Sequence, residues 1–337
     1  MVVSMGTGIT VGIDLGGTKT TMVITDRTDR LLHEETLATD RARPADQIVQ
    51  LVERATAAFP PGRGGIEGAG IAAPGHVDPQ NGVVRLAVNL DGAEIPLARL
   101  VREATGLPCL VEHDARAAAA WLVRRDGTRD LAYLSVGTGI SAGLVIDGRL
   151  LRGATGLAGE FGHTVADPNG PMCTCGLRGC LEAVAAGPAI ARQAQDRQAQ
   201  ARRQIGSSHG VPVAGTAEAV FEAAAAGDPV ARSVVDDVAG HLARAIRALV
   251  LGFGVSRIVI GGGVAGAGEH LLGPVLAAIE RERSESPLVD AAFASATIEL
   301  LPPGTNAGAR GAAALVRDAL TEGHPTVRGI LAGSVKA

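Results

Sequence analysis

Apolar runs, glycine turns and helical periodicities alternate along the first third of the chain. Two apolar runs, 9–14 and 21–26, flank a turn rich in glycine and threonine, which predicts a β-hairpin. Apolar residues at helical spacing over 44–58 predict an amphipathic helix. The same reasoning predicts strands over 31–38, 66–73 and 109–112 and helices over 96–105 and 115–124. This alternation of strands and helices is typical of an α/β fold.

The hairpin plan recurs in the middle of the chain. At 130–148 the runs DLAYLSV and SAGLVIDG flank the turn GTGI, so we expect a duplicated domain. Residues 160–182 are irregular and hold most of the cysteines. The other predicted elements are helices over 187–204, 215–226, 229–251, 269–281 and 306–320, a strand over 255–260, a loop over 203–214 and frayed tails over 1–8 and 323–337. Together these elements predict mixed sheets.

Composition narrows the class of protein. A length of 337 residues is enough for about two domains. With 46% apolar and 20% charged residues, the chain is neither disordered nor an acidic tail. A net charge of −4 and an aromatic content of 2% argue against a nucleic-acid partner. No apolar stretch approaches about 18 residues and the N-terminus has no signal-like pattern, so we expect a cytoplasmic protein with no membrane partner.

Three glycine-rich turns each follow a predicted strand. In the first, DLGGTKT, two glycines allow backbone N–H groups to approach an anion, and the threonines and the lysine add donors. The third turn precedes a helix whose start suits the α-phosphate end of a nucleotide. The candidate phosphate-binding residues are Asp14, Gly16, Gly17, Thr18, Lys19, Thr20, Gly137, Thr138, Gly139, Gly261, Gly262 and Gly263. One such turn is compatible with a structural role, but three favour a nucleotide clamped between two lobes, although Walker A and Rossmann spacings are absent.

Three of the four cysteines form a compact group. Cys173, Cys175 and Cys180 fall within eight residues, with His163 nearby, which is the spacing of a metal site and not of a disulfide framework. Three thiols and one imidazole suit tetrahedral zinc and leave no position open for water, so we expect a structural Zn²⁺. The alternative is three unrelated core cysteines. Cys109 lies apart and is predicted to be a buried strand residue.

Two motifs carry a resemblance to a known family. The sequence DLGGTK at 14–19 resembles the first phosphate motif of the sugar-kinase/actin/Hsp70 superfamily. The sequences GLAGEFGH at 156–163 and CTCGLRGCLE at 173–182 resemble the signature of the ROK family, which groups repressors with sugar kinases. The resemblance spans roughly residues 9–320 and implies an actin-like fold of two α/β lobes with the active site in the cleft.

The resemblance also implies the domain limits and the ligands. We expect a small N-terminal lobe over 9–115, completed by the helix over 306–320, and a large lobe over 116–305 that carries the zinc loop 160–182. The implied reaction is ATP-dependent phosphorylation of the 6-hydroxyl of a glucose-like sugar. The implied cofactors are ATP, Mg²⁺ and structural Zn²⁺, and the implied assembly is a homodimer or a dimer of dimers.

Individual roles follow from the family motifs. Asp114 matches the catalytic aspartate, a general base toward the sugar hydroxyl, although an aspartate before Ala-Arg-Ala-Ala is also a good helix N-cap. Asp14 matches the residue that orders Mg²⁺ through water. The residues that match sugar-binding positions are Pro74, Gly75, Asn89, His113, Asp114, Glu160, His163 and Glu182. The same resemblance gives His163, Cys173, Cys175 and Cys180 as the zinc ligands.

One departure from the family pattern concerns the sugar. Family kinases for glucose and its relatives usually have E-N-D-A-N-A, whereas residues 112–117 are EHDARA. The amide of asparagine offers a donor and an acceptor together, while imidazole is a wider, rigid ring that can become cationic. His113 therefore leaves two alternatives: a hexose altered at C3 or C4, such as 3-amino-3-deoxyglucose (kanosamine), or a tolerated replacement in an ordinary glucokinase.

Other functions remain alternatives. The enzyme could act on another amino or N-acetylated hexose, or could use polyphosphate as the donor. A ROK repressor is a remote alternative, because those proteins carry a helix-turn-helix domain ahead of the first phosphate motif and only 13 residues precede Asp14 here. A sugar sensor without catalysis is disfavoured by the retention of Asp114 and of all three glycine turns.

Overall fold

The computed structural model describes residues 8–60, 64–86, 94–205 and 215–322, which contain both strands and helices. The strands are β1 (Ile9–Leu15), β2 (Lys19–Thr25), β3 (Leu31–Ala38), β4 (Ile66–Ala73), β5 (His76–Asp78), β6 (Val83–Leu86), β7 (Cys109–His113), β8 (Leu131–Val136), β9 (Ile140–Ile146), β10 (Arg149–Leu150), β11 (Arg257–Gly261) and β12 (Thr297–Leu300). The α-helices are α1 (Pro44–Ala58), α2 (Leu97–Thr105), α3 (Asp114–Asp126), α4 (Leu181–Ala185), α5 (Gly187–Ile205), α6 (Ala217–Ala225), α7 (Pro229–Phe253), α8 (Glu269–Glu285), α9 (Pro287–Phe293) and α10 (Ala307–Glu322). The predicted α/β class with mixed sheets is confirmed.

The chain divides into two compact units. The first comprises the described residues of 8–128 and 306–322, together with Leu150–Ala158. The second comprises the described residues of Arg129–Arg149 and Gly159–Thr305. Helix α3 packs along helix α10 and lies in the first unit, and the lobe boundary expected at residue 115 stays a prediction.

The first unit contains a five-stranded sheet in the order β3-β2-β1-β4-β7. Strands β1 and β2 form the predicted antiparallel hairpin, whereas β4 runs parallel to β1 and β7 runs parallel to β4. Helix α10 packs directly on this sheet: a Cβ on Gly12 would lie 2.0 Å from the carbonyl oxygen of Ala309, and one on Gly70 would lie 1.9 Å from that of Ala312. Glycine at these two positions allows the helix to approach the strands.

The second unit repeats this plan. Its sheet has the order β10-β9-β8-β11-β12, with β8 and β9 as the antiparallel hairpin and with β11 parallel to both β8 and β12. The 25-residue helix α7 buries an apolar stripe that includes Val238, Leu242, Ile246 and Leu249. The hairpin followed by parallel strands is the internal repeat expected from residues 9–26 and 130–148.

None of the helices in the described ranges is both long enough and apolar enough to cross a membrane.

Candidate active site and metal centre

Several of the predicted site residues lie at one edge of the first sheet. Asp14 lies near the end of β1 and pairs in register with Ala72, and His113 ends β7 and pairs with Ala73. Because β1, β4 and β7 are parallel, their carboxyl ends lie at the same edge, which is where α/β sheets bind ligands. The turn Pro74-Gly75 follows β4 at this edge, and Gly75 has a φ of +79° that favours glycine.

Two carboxylates lie within electrostatic reach of each other at this edge. Burial, and after it the negative charge of Asp114, raise the pKa of Asp14 to about 7 against smaller opposing effects of Lys19 and His113. A carboxylate pair of this kind is stabilised by a cation, and Mg²⁺ is normally held by one or two carboxylates and several waters. Asp14 and its surroundings therefore fit the predicted Mg²⁺ site.

Asp114 is the first residue of α3. The N-cap is His113, whose side chain makes no capping hydrogen bond, whereas Oδ1 of Asp114 accepts the amide N–H of Ala115 at 2.6 Å. The Asp114 side chain is 30% exposed, and its Oδ1 lies 3.2 Å from Nδ1 of the buried His113. The aspartate thus does not occupy the N-cap position, and it keeps the solvent access that a base toward a bound sugar needs.

The backbone of the first glycine turn is fixed by neighbouring groups. Oγ1 of Thr39 donates to the carbonyl oxygen of Gly16 at 2.7 Å, and Nε of Arg41 donates to that of Gly17 at 2.8 Å. Thr18 and Lys19 are exposed, as a phosphate-binding role requires. Thr20 differs from the prediction, because its buried hydroxyl bonds to Thr39 and Gln47. It therefore supports the turn from within.

The other two glycine turns lie side by side in the second unit. They follow β8 and β11, which are neighbouring parallel strands with Gly261 in register with Ser135. Gly262 has a φ of +84°, and a Cβ there would lie 2.4 Å from the carbonyl oxygen of Val136. The amide of Gly137 donates to the carbonyl of Gly139 at 2.9 Å, which closes the turn that contains Thr138. The structure thus brings together two of the three predicted phosphate turns.

The four predicted zinc ligands converge. The side-chain donor atoms of His163, Cys173, Cys175 and Cys180 all lie within 4.8 Å of one another. Sγ of Cys175 is 3.6 Å from Sγ of Cys180, and Sγ of Cys173 is 3.6 Å from Nδ1 of His163. A tetrahedral Zn²⁺ with Zn–S bonds of about 2.3 Å requires S···S distances of about 3.8 Å. The donor set therefore fits a closed, structural zinc site.

Two predicted sugar residues adjoin this metal centre. Nε2 of His163 lies 3.9 Å from Oε2 of Glu160, so its ring has one nitrogen toward the thiols and the other toward a carboxylate. Glu182 follows Cys180 by two residues, and its Oε2 accepts the backbone N–H of Ile140 at 2.9 Å. The predicted sugar residue Asn89 lies outside the described residues.

An ionic cluster around the buried Glu112, beside His113, was not predicted. Oε1 of Glu112 accepts Nε of Arg116 and Oε2 accepts Nε of Arg152, both at 2.7 Å, within the first unit. The first ion pair could have been predicted from the sequence, because Glu112 and Arg116 have i, i+4 spacing. The second pair joins residues 40 apart in sequence, and no local pattern indicates it.

Comparison with known proteins decides the family. The ROK family model matches residues 10–319. The chain belongs to the ROK family. This ROK protein is 32% identical to a glucokinase of Thermotoga maritima over 91% of its own length and 97% of that protein's. It is 36% identical to an N-acetylmannosamine kinase of Citrobacter koseri over 76% of its own length and 83% of that protein's.

A solved relative shares the fold. The crystal structure of a ROK family glucokinase from Streptomyces griseus in complex with glucose and AMPPNP has a TM-score of 0.73 and 33% identity to the ROK protein described here. The match covers 92% of this chain and 99% of that one. The predicted family and its two-lobed α/β fold are confirmed.

Proposed function

We propose that this ROK protein is an ATP-dependent hexose kinase that phosphorylates the 6-hydroxyl of a glucose-like sugar. The observation that carries the proposal is the placement of Asp114. It is a part-exposed carboxylate at the start of a helix, at the same sheet edge as Asp14, whose pKa its charge raises. The relatives named glucokinase support the same class of reaction.

In the proposed reaction, Asp114 accepts the proton of the sugar hydroxyl. The sugar oxygen forms its bond to the terminal phosphorus of ATP as the bond from that phosphorus to the ADP oxygen breaks. As the first residue of α3, Asp114 lies at the positive end of the helix dipole. A positioned base contributes about 10²–10⁴-fold, and orientation and charge supply the rest of the acceleration.

Phosphate and metal contacts are assigned to this chain's own groups. The backbone N–H groups of the three glycine turns, with Thr18 and Lys19, bind phosphate oxygens. Asp14 would hold Mg²⁺ through water, and the bound ion would supply positive charge near the phosphates. The Cys₃His site would hold Zn²⁺ in a structural role, and the ion would order the loop that carries Glu160, His163 and Glu182.

The sugar is assigned as glucose or a glucose altered at C3 or C4, such as kanosamine. His113 is 3% exposed, and Nδ1 of its ring lies 3.2 Å from Oδ1 of Asp114, so the ring lies beside the candidate base. An imidazole there presents a different hydrogen-bonding surface from the amide of an asparagine. A relative named N-acetylmannosamine kinase keeps N-acetylated hexoses as a second substrate class. We also propose a homodimer or dimer of dimers, on the family resemblance.

The test is a coupled assay of ADP release across hexoses: glucose, mannose, N-acetylated sugars and kanosamine. We expect release with at least one of them, and a fall in turnover of about 10²–10⁴-fold in Asp114→Asn with sugar affinity retained. Asp46→Asn, an exposed aspartate on α1, is the matched control and should keep its turnover. A fall of less than tenfold in the turnover of Asp114→Asn would exclude Asp114 as the base. If the wild type releases no ADP from polyphosphate-free ATP with any of these hexoses, the proposed kinase is excluded.

A further inference from the structure

Arg116 is the most deeply buried charged side chain among the described residues of the first unit. Its relative exposure is 1%, although it follows the candidate base by only two residues. Its Nε donates to Oε1 of Glu112 at 2.7 Å, and its Nη1 donates to the carbonyl oxygens of Gly156 at 2.8 Å and Ala158 at 3.1 Å. One guanidinium therefore joins the start of α3 to the segment Leu150–Ala158.

Glu112 is the carboxylate that pairs with both arginines of this cluster. Besides Arg116, it accepts Nε of Arg152, which belongs to the same segment, and the amide of His113. Burial alone would raise the pKa of Glu112, but the two arginines and the amide outweigh burial and lower it. Removal of one partner of a buried ion pair strongly destabilises a protein, because an uncompensated buried charge remains. The cluster thus holds the segment at two points, through Arg116 and through Arg152.

A third point of attachment lies on the other side of the segment. The carbonyl oxygen of Thr155 is 3.0 Å from Nε2 of His76, in the strand that follows the turn Pro74-Gly75. Gly156 has a φ of +76°, and a Cβ there would lie 3.2 Å from the carbonyl oxygen of Val77. The segment is therefore fixed between the two places in this unit where sugar contacts are assigned, the turn after β4 and the start of α3.

We propose that Arg116 is a positioning residue for the sugar: it holds the backbone of Gly156–Ala158 against the first turn of α3 and so fixes the wall of the sugar site beside His113 and Asp114. This inference rests on the proposed kinase function. Arginine suits the task because its planar fork reaches a carboxylate and two carbonyls at once, which a lysine ammonium at the same position does not do.

The test compares Arg116→Lys with Arg317→Lys. Arg317 is a second buried arginine of the same unit, 7% exposed, which donates to the hydroxyls of Thr10 and Thr25 and not to the segment. We expect the KM for the sugar to rise at least fivefold in Arg116→Lys, with kcat and the KM for ATP changed less than twofold. Arg317→Lys should lower the melting temperature without changing the KM for the sugar.

A second readout does not depend on activity. Hydrogen–deuterium exchange in peptides that cover Leu150–Ala158 should become at least fivefold faster in Arg116→Lys and stay unchanged in Arg317→Lys. If Arg116→Lys does not fold, the half-exposed Arg152→Gln replaces it, with an expected two- to fivefold rise in the KM for the sugar.

Two results would overturn the inference. The first is a KM for the sugar within experimental error of wild type in folded Arg116→Lys or, if that variant does not fold, in Arg152→Gln. The second is unchanged hydrogen–deuterium exchange of Leu150–Ala158 in the same variant. Absence of ADP release by the wild type with every hexose would instead refute the proposed kinase, so the two failures are distinguishable.

Discussion

Oε2 of Glu182 accepts the backbone N–H of Ile140 at 2.9 Å. Ile140 directly follows the turn Gly137–Gly139, and Glu182 follows the zinc ligand Cys180 by two residues. A Cβ on Gly139 would lie 2.5 Å from the same carboxylate oxygen, so glycine at this position leaves room for the glutamate. The contact joins the candidate metal loop to a candidate phosphate turn within one unit, and the order of one therefore supports the order of the other.

Glu182→Ala tests this contact. Ile140 is 3% exposed, so its N–H loses its carboxylate acceptor without gaining water. We expect a loss of about 1–3 kcal/mol in the free energy of unfolding, which is the penalty for a buried donor left unsatisfied. Urea unfolding measures it. Glu222→Ala, on the exposed face of α6, is the control and should stay within about 0.5 kcal/mol of wild type. Equal stabilities of the two variants would contradict the role of Glu182.

Cys175→Ser tests the metal centre. Cys175 is exposed, and without a metal its replacement should cost no more than about 0.5 kcal/mol. If Cys175 binds zinc, Cys175→Ser should lose most of the bound metal. Its melting temperature should then fall by several degrees, because metal binding contributes to folding.

Elemental analysis of purified protein checks the stoichiometry, which we expect to be one zinc per chain. Cys109→Ser is the matched control: Cys109 is buried in β7 of the other unit, and its loss should leave the zinc content unchanged. Wild-type protein without zinc and with freely titratable thiols would rule out the site.

Local patterns in the sequence predicted most of the elements and the placement of several candidate site residues, whose roles stay predictions. Strand ends can be located from apolar runs and glycines, and parallel strands place their ends at one edge, so Asp14 and Asp114 were predictable. The Cys-x-Cys spacing predicted the convergence of the metal ligands. Short elements such as α9 and β12 were missed, because a four-residue strand at the sheet edge with alternating half-exposed positions gives little periodic signal.

Long-range partners were beyond such patterns. Thr20 looked like a phosphate donor because it lies in the motif, but the strand pairing of β2 turns its hydroxyl toward Thr39 and Gln47. The pairing of Arg152 with Glu112 depends on how a distant segment folds back on α3. In each case tertiary packing decides which polar groups form hydrogen bonds or ion pairs within the protein. The spacing of residues along the sequence does not indicate these partners.

The raised pKa of Asp14 predicts a pH dependence of stability in the absence of Mg²⁺. Burial, followed by the charge of Asp114, raises this pKa from 3.8 to about 7. The folded state therefore holds the proton more tightly than the unfolded chain. Stability from this group is fully present below pH 3.8 and is lost as the pH rises to about 7.

Asp14→Asn removes the titration. Its free energy of unfolding should exceed that of wild type by roughly 2–4 kcal/mol at pH 8, and this gain should shrink toward pH 4. Urea unfolding at the two pH values, in Mg²⁺-free buffer without a chelator, measures the effect. Asp46→Asn should show no such pH-dependent difference. A gain of the same size at both pH values would show that ionisation of Asp14 is not the cause.

His113→Asn tests the choice of sugar. The ring of His113 is buried, and its Nδ1 lies 3.2 Å from Oδ1 of Asp114, so it is held close to the candidate base. If imidazole at this position selects a sugar altered at C3 or C4, the asparagine variant should shift the ratio of kcat/KM for glucose to that for kanosamine in favour of glucose. The expected shift is about 1–3 kcal/mol, or roughly 5- to 150-fold, which is the size of one buried hydrogen bond gained or left unpaired. His33→Asn, an exposed histidine of β3, is the control and should leave the ratio unchanged. A wild type that prefers glucose over every modified hexose, together with an unchanged order of preference in His113→Asn, would make the histidine a neutral replacement and the enzyme a plain glucokinase.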